Sequence, residues 1–333
     1  MTERVILITG GAGFIGSNIA AELTGDSSFD VVVCDRLRTA ALGKWRNLAK
    51  HPIANIIGPE ELWPWLERRG SEVELIVHMG AVSSTQEADA DTIVRTNFGL
   101  SRDLFCWCVG HDCRLIYASS AATYGDGALG FDDAQDVEFL ASLRPLNAYG
   151  WSKALFDCFA ARQAARGRAP PQWVGLKFFN VYGPNEGHKG VMASMARQMW
   201  PDVAAGRAVK LYRSYRPAWI DGGQERDFVH VGDAARAVAW FVAHPKVSGL
   251  FNLGSGEARS FNDLAEALFK AAGREPRIDY IDMPPTLRDA YQYVTQAKME
   301  RLRAAGYDGA ATRLEDGVAD YVQGYLAKSD PYR

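Results

Sequence analysis

A glycine-rich turn near the amino terminus most restricts what this chain can fold into. Val5-Ile6-Leu7-Ile8-Thr9 is almost entirely apolar, and Gly10-Gly11-Ala12-Gly13-Phe14-Ile15-Gly16 follows it directly. Such an apolar run is typical of a strand buried on both faces of a parallel sheet. The spaced glycines permit a tight turn, a close approach of the backbone to a phosphate, and packing of the next helix on the strand. The pattern therefore predicts a strand, a phosphate-binding turn and a helix that begins at the turn.

The first half of the chain alternates strand and helix patterns. This alternation predicts βαβ units with right-handed crossovers, and therefore a parallel sheet with helices on both faces. We predict an α/β fold with a Rossmann-type doubly wound parallel sheet and a smaller mixed α/β lobe toward the carboxyl end. The predicted strands are 4–9, 30–34, 74–78, 114–118 and 173–178, and the predicted helices are 14–23, 60–69, 91–109, 149–166 and 260–272.

Length and a change of pattern suggest two lobes. The chain has 333 residues, and domains usually contain roughly 100–200 residues. After Asn180, loops rich in glycine and proline mix with shorter elements. We predict a dinucleotide-binding domain over residues 1–179 and a substrate-binding lobe over residues 180–333, some segments of which return to the main sheet.

Charge and hydropathy exclude several classes of partner. The formal net charge is -3, so no basic excess is present to neutralise a nucleic-acid backbone. No segment approaches the roughly 18 uncharged apolar residues of a membrane span, and the first residues lack the pattern of a signal peptide. We expect a cytoplasmic protein that binds neither nucleic acid nor membrane.

The number and spacing of the cysteines indicate packing residues and not disulfides or metal ligands. There are five, an odd number, which argues against a disulfide framework in a chain without an export signal. Cys106, Cys108 and Cys113 lie close together in the sequence, but not at the C-x2-C spacing that zinc sites favour. We interpret them as packing residues and expect no metal site.

An acidic residue follows the second predicted strand. Asp35 lies near the position of the acid that binds a ribose 2′-hydroxyl in dinucleotide-binding folds, which favours NAD. Arg36, Arg38 and Lys44 follow it and favour NADP if they receive a 2′-phosphate. The alternative is that these cations are solvated loop charges. The residues alone leave both cofactors open.

A tyrosine and a lysine are placed for proton transfer. Tyr149 and Lys153 form a Y-x-x-x-K pattern at the start of a predicted helix, which places both side chains on one face. An ammonium beside a phenol stabilises the phenolate, so we expect Lys153 to lower the pKa of Tyr149. Ser120, at the end of a predicted strand, can hydrogen-bond the same substrate oxygen. The pattern indicates hydride transfer at an alcohol carbon, with the hydride carried by the dinucleotide.

Together these features resemble the extended short-chain dehydrogenase/reductase (NAD-dependent epimerase/dehydratase) family, most of whose members act on nucleotide sugars. The resemblance covers nearly the whole chain, and 179–184, 226–231 and 251–254 continue it in the expected order. A narrower resemblance, to the ADP-L-glycero-D-manno-heptose 6-epimerase family, is carried most specifically by Glu186-Gly187-His188-Lys189-Gly190 followed by Met192-Ala193-Ser194.

The resemblance implies inversion of C6″ of an ADP-heptose that supplies the lipopolysaccharide inner core. Hydride leaves C6″ for bound NADP and returns to the other face of a 6″-ketone; NAD remains possible. The resemblance implies Tyr149 as the base on one side and Lys189 on the other, in a homo-oligomer. Lys189 then needs a lowered pKa. The alternative for Lys189 is a surface or phosphate-binding lysine, and His188 is expected to be a structural hydrogen-bonding residue.

Further site residues carry over from the resemblance. Arg226 suits a diphosphate because its fork binds two oxygens; the alternative is an ion pair with Asp233. The implied substrate contacts are Ser120, Asn180, Lys189, Arg226 and Tyr291. The implied cofactor contacts are Gly10, Gly13, Phe14, Ile15, Gly16, Asp35, Arg36, Lys44, Met79, Gly80, Ala81, Val82, Ser83 and Lys153.

The chain departs from the family pattern at two places. Pro59 stands where some family members have a further cofactor-contacting lysine, and the segment 212–224 is longer than in shorter members.

Two alternative functions remain. One alternative is another nucleotide-sugar epimerase, a dehydratase or a reductase; Ala121-Ala122-Thr123 offers no acid for a dehydratase. The other is a regulatory protein that senses a dinucleotide, against which the intact Tyr149 and Lys153 argue.

Overall fold

The computed structural model describes residues 4–26, 28–84, 87–288 and 291–333. Residues 1–3, part of the segment in which we find no signal-peptide pattern, lie outside them. The strands are β1 (Val5–Thr9), β2 (Asp30–Cys34), β3 (Asn55–Ile57), β4 (Val73–His78), β5 (Arg114–Ser120), β6 (Trp173–Phe178), β7 (Asn180–Tyr182), β8 (Val209–Tyr212), β9 (Glu225–His230), β10 (Gly249–Leu253), β11 (Ala258–Ser260) and β12 (Ile278–Ile281). The α-helices are α1 (Phe14–Leu23), α2 (Leu62–Arg69), α3 (Ala90–Ile93), α4 (Leu100–Gly110), α5 (Val137–Ser142), α6 (Ala148–Ala165), α7 (Met195–Ala204), α8 (Val231–Ala243), α9 (Phe261–Ala271), α10 (Pro285–Arg288), α11 (Glu300–Ala304) and α12 (Leu314–Tyr321).

A parallel sheet forms the centre of the molecule. Within the described ranges it contains seven strands in the order β10-β6-β5-β4-β1-β2-β3, and each neighbouring pair is parallel. The order reverses beside β1, which opens a crevice at the carboxyl ends of the strands, where ligands bind in doubly wound sheets. The predicted fold class is confirmed.

Alternate side chains of each central strand enter two different cores. On β1, Val5 and Leu7 join the core that contains residues of α2, α4 and α6, whereas Ile6 and Ile8 join the core that contains residues of α1 and α8. Successive side chains of a strand point to opposite faces, so a strand covered on both faces must be apolar throughout. This explains the unbroken apolar run at the start of the sequence.

The predicted helix over 91–109 is helical from Ala90 to Gly110 but contains a widened turn. A π-helical segment, Val94–Gly99, lies between α3 and α4. It places the buried Asn97 side chain where its amide donates to Val82 O (3.0 Å) and its oxygen accepts from Val82 N (2.8 Å). The prediction of a regular helix was therefore wrong over this turn, because apolar periodicity does not report one extra residue per turn.

The carboxyl-terminal half surrounds a third core. Residues of α7, α9 and α12 pack there with Phe228 of β9 and Tyr182 of β7. β9 pairs with β7 in parallel and with β11 antiparallel, while β10 lies in the main sheet beside β6. The predicted helix over 260–272 is α9, whose N-cap Ser260 forms a capping box with Asp263. No helix in the described ranges is both long and apolar enough to cross a bilayer.

A buried ion pair fastens α6 to the sheet. Lys177 of β6 and Asp157 of α6 are each fully buried, and Lys177 Nζ lies 2.7 Å from Asp157 Oδ2. Tyr117 and Ser119 of β5 donate hydrogen bonds to the same carboxylate at 3.1 and 2.7 Å. Lys177 also donates to Thr123 at 2.8 Å. These contacts fix the end of β5 against α6.

We expect Lys177→Met to lower the free energy of unfolding by about 3–5 kcal/mol, because it leaves the buried Asp157 carboxylate without its counter-charge. Lys177→Met combined with Asp157→Leu is expected to recover part of the loss. Urea unfolding monitored by circular dichroism measures both. The matched control is the exposed Lys210→Met, expected to change stability by less than about 0.5 kcal/mol. An effect of Lys177→Met equal to that of the control contradicts the prediction.

Candidate functional site

Close backbone packing shapes the turn between β1 and α1. Gly10 has φ +66°, and a Cβ at this residue lies only 2.6 Å from the backbone nitrogen of Gly80. A Cβ on Gly16 lies 2.2 Å from the carbonyl oxygen of Gly10. Any side chain at either position therefore displaces the turn. The two predicted cofactor segments, 10–16 and 79–83, are in direct contact here.

The amino terminus of α1 is open to an anion. The helix starts at Phe14, and in the described part of the chain no side chain caps it. Its first backbone N–H groups and its positive dipole end face the turn. Because Gly10 and Gly16 leave no room for a side chain and the helix end lacks a cap, the residues present fit the pyrophosphate of a dinucleotide.

Asp35 is held by protein donors. Its Oδ2 accepts from Ala12 N at 2.9 Å, and its Oδ1 accepts from Arg36 N at 2.6 Å and from Lys44 Nζ at 2.5 Å. The Arg36 side chain is exposed. The acid predicted to bind ribose is therefore paired with one of the predicted phosphate-binding cations, at the carboxyl end of β2.

The turn after β4 is linked to α6 through Asn97. The Asn97 amide that contacts Val82 also donates to Ser152 Oγ at 3.1 Å. Beneath this turn, the buried His78 hydrogen-bonds Thr9 Oγ1 at 2.6 Å and Ser101 Oγ at 2.9 Å. The turn predicted to contact the cofactor is thus tied to β1, to the π-helical segment and to the helix that carries Tyr149.

Tyr149, Ser120 and Lys153 lie together at the end of β5 and the start of α6. Asn147 caps α6, accepting from Gly150 N at 2.8 Å, and so sets Tyr149 in the first turn. Burial raises the pKa of Tyr149 above its usual value, and a hydrogen bond from Ser120 opposes the rise. The Lys153 ammonium donates to the carbonyl of Ala118 at 2.8 Å. Burial lowers the pKa of Lys153 to about 8, against the opposing charge of Asp157.

One sequence-based expectation about this group was wrong. We expected Lys153 to lower the pKa of Tyr149, but the pKa is raised. The cause is that both side chains are withdrawn from water, and the ammonium is engaged with a strand carbonyl. Tyr149 is therefore held as a neutral phenol near neutral pH.

Lys189 lies over the amino terminus of α1. Its Nζ is 5.1 Å from the centroid of the Phe14 ring, and burial lowers the pKa of this lysine, opposed by the charge of Glu186. The neighbouring His188 lies 3.3 Å from Asn47 Nδ2. Burial lowers the pKa of His188 to about 4, with further lowering by Lys44 and Lys189. The loop thus contacts the start of α1 through Lys189 and Asn47 through His188.

The predicted substrate residues border the second lobe. Arg226 stacks its guanidinium on the rings of Tyr291 (5.1 Å) and Phe261 (5.5 Å), and burial lowers its pKa. No carboxylate among the described residues pairs with it. The ion pair with Asp233 that we considered does not form, because Asp233 contacts Arg236 and Thr312.

Asn180 lies at the mouth of a small cleft next to this cation. It is exposed, and its Oδ1 accepts from Thr295 Oγ1 at 3.4 Å. The cleft holds about 80 Å³ and is lined also by Ser194, Met195 and Phe261. Phe261 also contacts Arg226, so Asn180, Arg226 and Tyr291 lie in one region, while Ser120 and Lys189 do not line this cleft.

No role was predicted from the sequence for several buried polar residues of the site. His78, Asn97, Asp157 and Lys177 are buried and hold its elements together, and Glu186, named only as part of a motif, is buried as well. A signal existed for Lys177 and His78, since a lysine or histidine within a buried apolar strand requires a partner. No comparable signal marks Asn97, whose role depends on the widened turn.

The cysteines are free thiols spread over the first domain. Cys34, Cys108 and Cys113 are buried, while Cys106 is exposed. Packing therefore does not account for Cys106, which lies on the outer side of α4. No group of three or more His, Cys, Asp or Glu residues in the described ranges is arranged to hold a metal ion.

Comparisons with known proteins agree with this arrangement. Residues 6–254 match the NAD dependent epimerase/dehydratase family. ADP-L-glycero-D-manno-heptose-6-epimerase of Nitratidesulfovibrio vulgaris is 45% identical, over 98% of this chain and 99% of its own. The crystal structure of the Helicobacter pylori enzyme of the same name has a TM-score of 0.76 and 30% identity, covering 97% of this chain and 96% of its own. The crystal structure of Thermus thermophilus UDP-glucose 4-epimerase in complex with NAD has a TM-score of 0.74 and 26% identity. The match covers 96% of this chain and 99% of that one.

The buried His78 makes the free energy of unfolding depend on pH. Burial, with the nearby Lys153 charge, lowers its pKa from 6.5 to about 3. Between these values the unfolded chain binds a proton that the folded chain does not, so stability is full above the unfolded pKa and is lost as pH falls below it. We expect the wild type to lose about 2 kcal/mol more than His78→Gln between about pH 7 and pH 5, measured by urea unfolding. The exposed His111→Gln is the control, expected to keep the wild-type slope. Equal slopes for wild type and His78→Gln contradict the prediction.

Proposed function

Because the chain belongs to the NAD dependent epimerase/dehydratase family, we propose that it is an ADP-glycero-manno-heptose 6-epimerase. It inverts C6″ of the sugar through a transient 6″-ketone, and so supplies a heptose precursor of the lipopolysaccharide inner core. The observation that carries this proposal is the placement of Lys189 over the start of α1, facing the cofactor turn. A second proton-transfer group at that place is what inversion at one carbon requires.

The fold provides a binding surface for the dinucleotide that would carry the hydride. A bound dinucleotide would supply the hydride acceptor and donor that inversion at C6″ requires. The glycine turn, the open end of α1 and the 79–83 turn are the groups that hold the dinucleotide. Everything else in the reaction falls to side chains that hold or move the hydroxyl proton of the substrate.

Tyr149 and Lys189 have complementary protonation tendencies. Burial raises the pKa of Tyr149 and lowers that of Lys189, which favours the phenol in one group and a neutral amine in the other. In one direction Lys189 takes the C6″ hydroxyl proton and Tyr149 donates a proton to the ketone oxygen after reorientation. In the reverse direction the roles exchange. The two ordinary pKa values are close, so these opposite shifts push them apart, which suits an acid and a base at one pH.

Ser120 and Lys153 support the phenol. Ser120 accepts from Ala122 N at 3.1 Å, so its own hydroxyl proton is directed outward, toward Tyr149. Whenever Tyr149 loses its proton, the hydrogen bond from Ser120 stabilises the phenolate, while Lys153 donates to the carbonyl of Ala118. Both groups come from elements fixed by the Asp157–Lys177 ion pair.

Arg226 is proposed to bind the diphosphate of the nucleotide sugar. Its guanidinium has aromatic partners but no carboxylate partner among the described residues, and a bidentate phosphate contact satisfies such a group. Tyr291 packs on the same guanidinium, and Asn180 borders the adjoining cleft. The substrate is therefore proposed to extend from Arg226 toward Tyr149 and Lys189.

NADP is the proposed cofactor. The Asp35 carboxylate already accepts from Lys44, Arg36 N and Ala12 N, which neutralises the charge that otherwise repels a 2′-phosphate. Arg36 is exposed beside it, and Lys44 can contact a phosphate while it remains near Asp35. These contacts support NADP, with NAD as the alternative.

The proposal includes an assembly and a domain division. The family resemblance implies a homo-oligomer, and we propose that it is cytoplasmic. Residues 1–179 bind the dinucleotide and residues 180–333 bind the nucleotide sugar, with β10 returning to the main sheet. Among rival reactions, dehydration lacks support, because Ala121-Ala122-Thr123 offers no acid and Thr123 is engaged by Lys177.

We expect Tyr149→Phe and Lys189→Met each to lower kcat for C6″ epimerisation by a factor of about 100 or more, because each removes one proton-transfer group. The purified protein is incubated with ADP-D-glycero-D-manno-heptose, and the C6″ configuration is followed by NMR. Lys210→Met and Tyr325→Phe are matched controls outside the site, expected to retain wild-type kcat.

The outcomes separate the candidate reactions. Absence of C6″ inversion by the wild type with cofactor bound contradicts the proposal. Full activity of Lys189→Met on this substrate, or inversion of UDP-glucose at C4″ instead, favours another nucleotide-sugar epimerase.

We expect Lys44→Ala to weaken NADP binding by about tenfold relative to NAD, since it removes a cation and frees the Asp35 carboxylate to repel the 2′-phosphate. Titration calorimetry with each dinucleotide measures the two dissociation constants. Cofactor released from the wild type on denaturation is expected to be NADP.

Arg46→Ala is the matched control for Lys44→Ala. The Arg46 guanidinium faces the rings of Trp45 and Tyr332, so its removal is expected to leave the NADP-to-NAD ratio unchanged. A ratio unaffected by Lys44→Ala, or NAD alone in the released cofactor, favours the NAD alternative.

A further inference from the structure

The loop that carries Lys189 is closed at its base by one carboxylate. We define the Lys189 loop as residues 187–193, which follow Glu186 and precede Ser194. The Glu186 side chain is fully buried. Its Oε2 accepts from Ser194 N at 2.5 Å, and its Oε1 accepts from Ser194 Oγ at 2.6 Å. One side chain therefore joins the residue that enters the loop to the residue that leaves it.

A third contact ties this closure to the carboxyl-terminal part of the chain. Tyr321, at the end of α12, donates its hydroxyl to Glu186 Oε1 at 3.1 Å. All three side-chain contacts of Glu186 are donors, which suits an ionised carboxylate with acceptors only. Ser194 is also the N-cap of α7, accepting from Arg197 N, so the closure is anchored to α7 and α12 together.

The rest of the loop is attached by weaker, mostly local contacts. Lys189 N donates to Glu186 O at 3.0 Å, and Ala193 N donates to Gly190 O at 3.1 Å. The Gln198 amide donates to Val191 O at 3.2 Å. Gly190 adopts φ +54° and interrupts the helical turns of the loop. A loop of this kind keeps one shape only if its two ends are fixed.

We propose that Glu186 is a positioning residue for Lys189, whose carboxylate closes the loop and holds the amine over Phe14 at the cofactor turn. This inference rests on the proposed role of Lys189 as the second proton-transfer group. Glu186 itself is buried behind the loop and acts through Lys189. The proposal also gives a physical reason for the Glu186 and Ser194 letters of the motif: they are the two ends of one closure.

The negative charge of Glu186 also affects the pKa of Lys189. Glu186 opposes the lowering of the Lys189 pKa by burial. Burial raises the pKa of Glu186, against its hydrogen bonds and the Lys189 charge. The other polar or charged groups facing this cluster are Tyr321, with Arg197 near its ring, and His188 on the loop. Glu186 therefore sets both the position of the amine and the pH at which it loses its proton.

Two substitutions separate these effects. Glu186→Gln is nearly isosteric: its oxygen can accept from Ser194 N while its amide donates to the Ser194 and Tyr321 hydroxyls, so the closure is kept and the charge is removed. Glu186→Leu removes the closure and the charge. Tyr321→Phe keeps the charge and removes one bond, and Tyr325→Phe, on the turn that follows α12, is its matched control.

The first readout is independent of activity. The Lys189 amine is titrated in each protein without cofactor or substrate by competitive acetylation over a range of pH, with the modified peptide quantified by mass spectrometry. Loss of the nearby negative charge is expected to lower the Lys189 pKa in Glu186→Gln by about one unit. Tyr321→Phe and Tyr325→Phe are expected to keep the wild-type midpoint.

The second readout is the epimerisation reaction. Glu186→Gln is expected to keep kcat at its plateau within about threefold while the limb of the pH profile due to Lys189 moves to lower pH. Glu186→Leu is expected to lower kcat about a hundredfold with little change in KM, since a small displacement of one proton-transfer group slows chemistry more than binding. Tyr321→Phe should lie between wild type and Glu186→Leu.

An unchanged Lys189 midpoint in Glu186→Gln together with wild-type kcat in Glu186→Leu overturns the proposal. If Glu186→Leu does not fold, as judged by its circular dichroism, Glu186→Gln and Tyr321→Phe decide the outcome. Failure of the proposed function is seen separately, as a wild type that does not invert C6″. In that case a shifted Lys189 midpoint in Glu186→Gln still supports the action of the Glu186 charge on the amine, while an unshifted one counts against the proposal.

Discussion

Backbone packs directly on backbone where the end of β1 meets the turn after β4. Gly10 has no room for a Cβ against Gly80, and Gly16 has none against Gly10. This contact brings the phosphate turn, the amino terminus of α1 and the 79–83 turn to one edge of the sheet, where the strand order reverses. Every other part of the site is placed relative to that edge, because the carboxyl ends of parallel strands converge there.

From this edge, a chain of buried polar contacts reaches the proton-transfer groups. Asn97 joins the Val82 backbone to Ser152 of α6, and the Asp157–Lys177 ion pair joins α6 to β6 and the end of β5. Such networks specify one arrangement because a half-satisfied buried polar group is costly. The same withdrawal from water raises the pKa of Tyr149 and lowers that of Lys189. Burial therefore both fixes the arrangement of these polar side chains and shifts the pKa values of Tyr149 and Lys189.

The second lobe adds what a dinucleotide fold alone lacks. The Arg226 guanidinium lies against the rings of Tyr291 and Phe261, and the loop closed by Glu186 places Lys189 over Phe14 of α1. The carboxyl-terminal residues take part as well, since Arg333 N donates to Asn185 Oδ1 at 2.9 Å and its guanidinium contacts Glu22 at 2.8 Å. Asn185, which precedes Glu186, is therefore joined through Arg333 to α1.

The sequence by itself determined the fold class, the glycine turn, five strands of the main sheet and the family, because hydrophobic periodicity and glycine spacing are local properties of the chain. Arg226, Tyr149 and Lys189 were predicted from motifs. Only the tertiary structure decided the pKa shifts and the positions of these side chains. The widened turn at Val94–Gly99, the raised pKa of Tyr149 and the closure of the Lys189 loop by Glu186 and Tyr321 each depend on burial and on partners distant in sequence. Desolvation is set by everything that packs around a group, and no local pattern of residues encodes it.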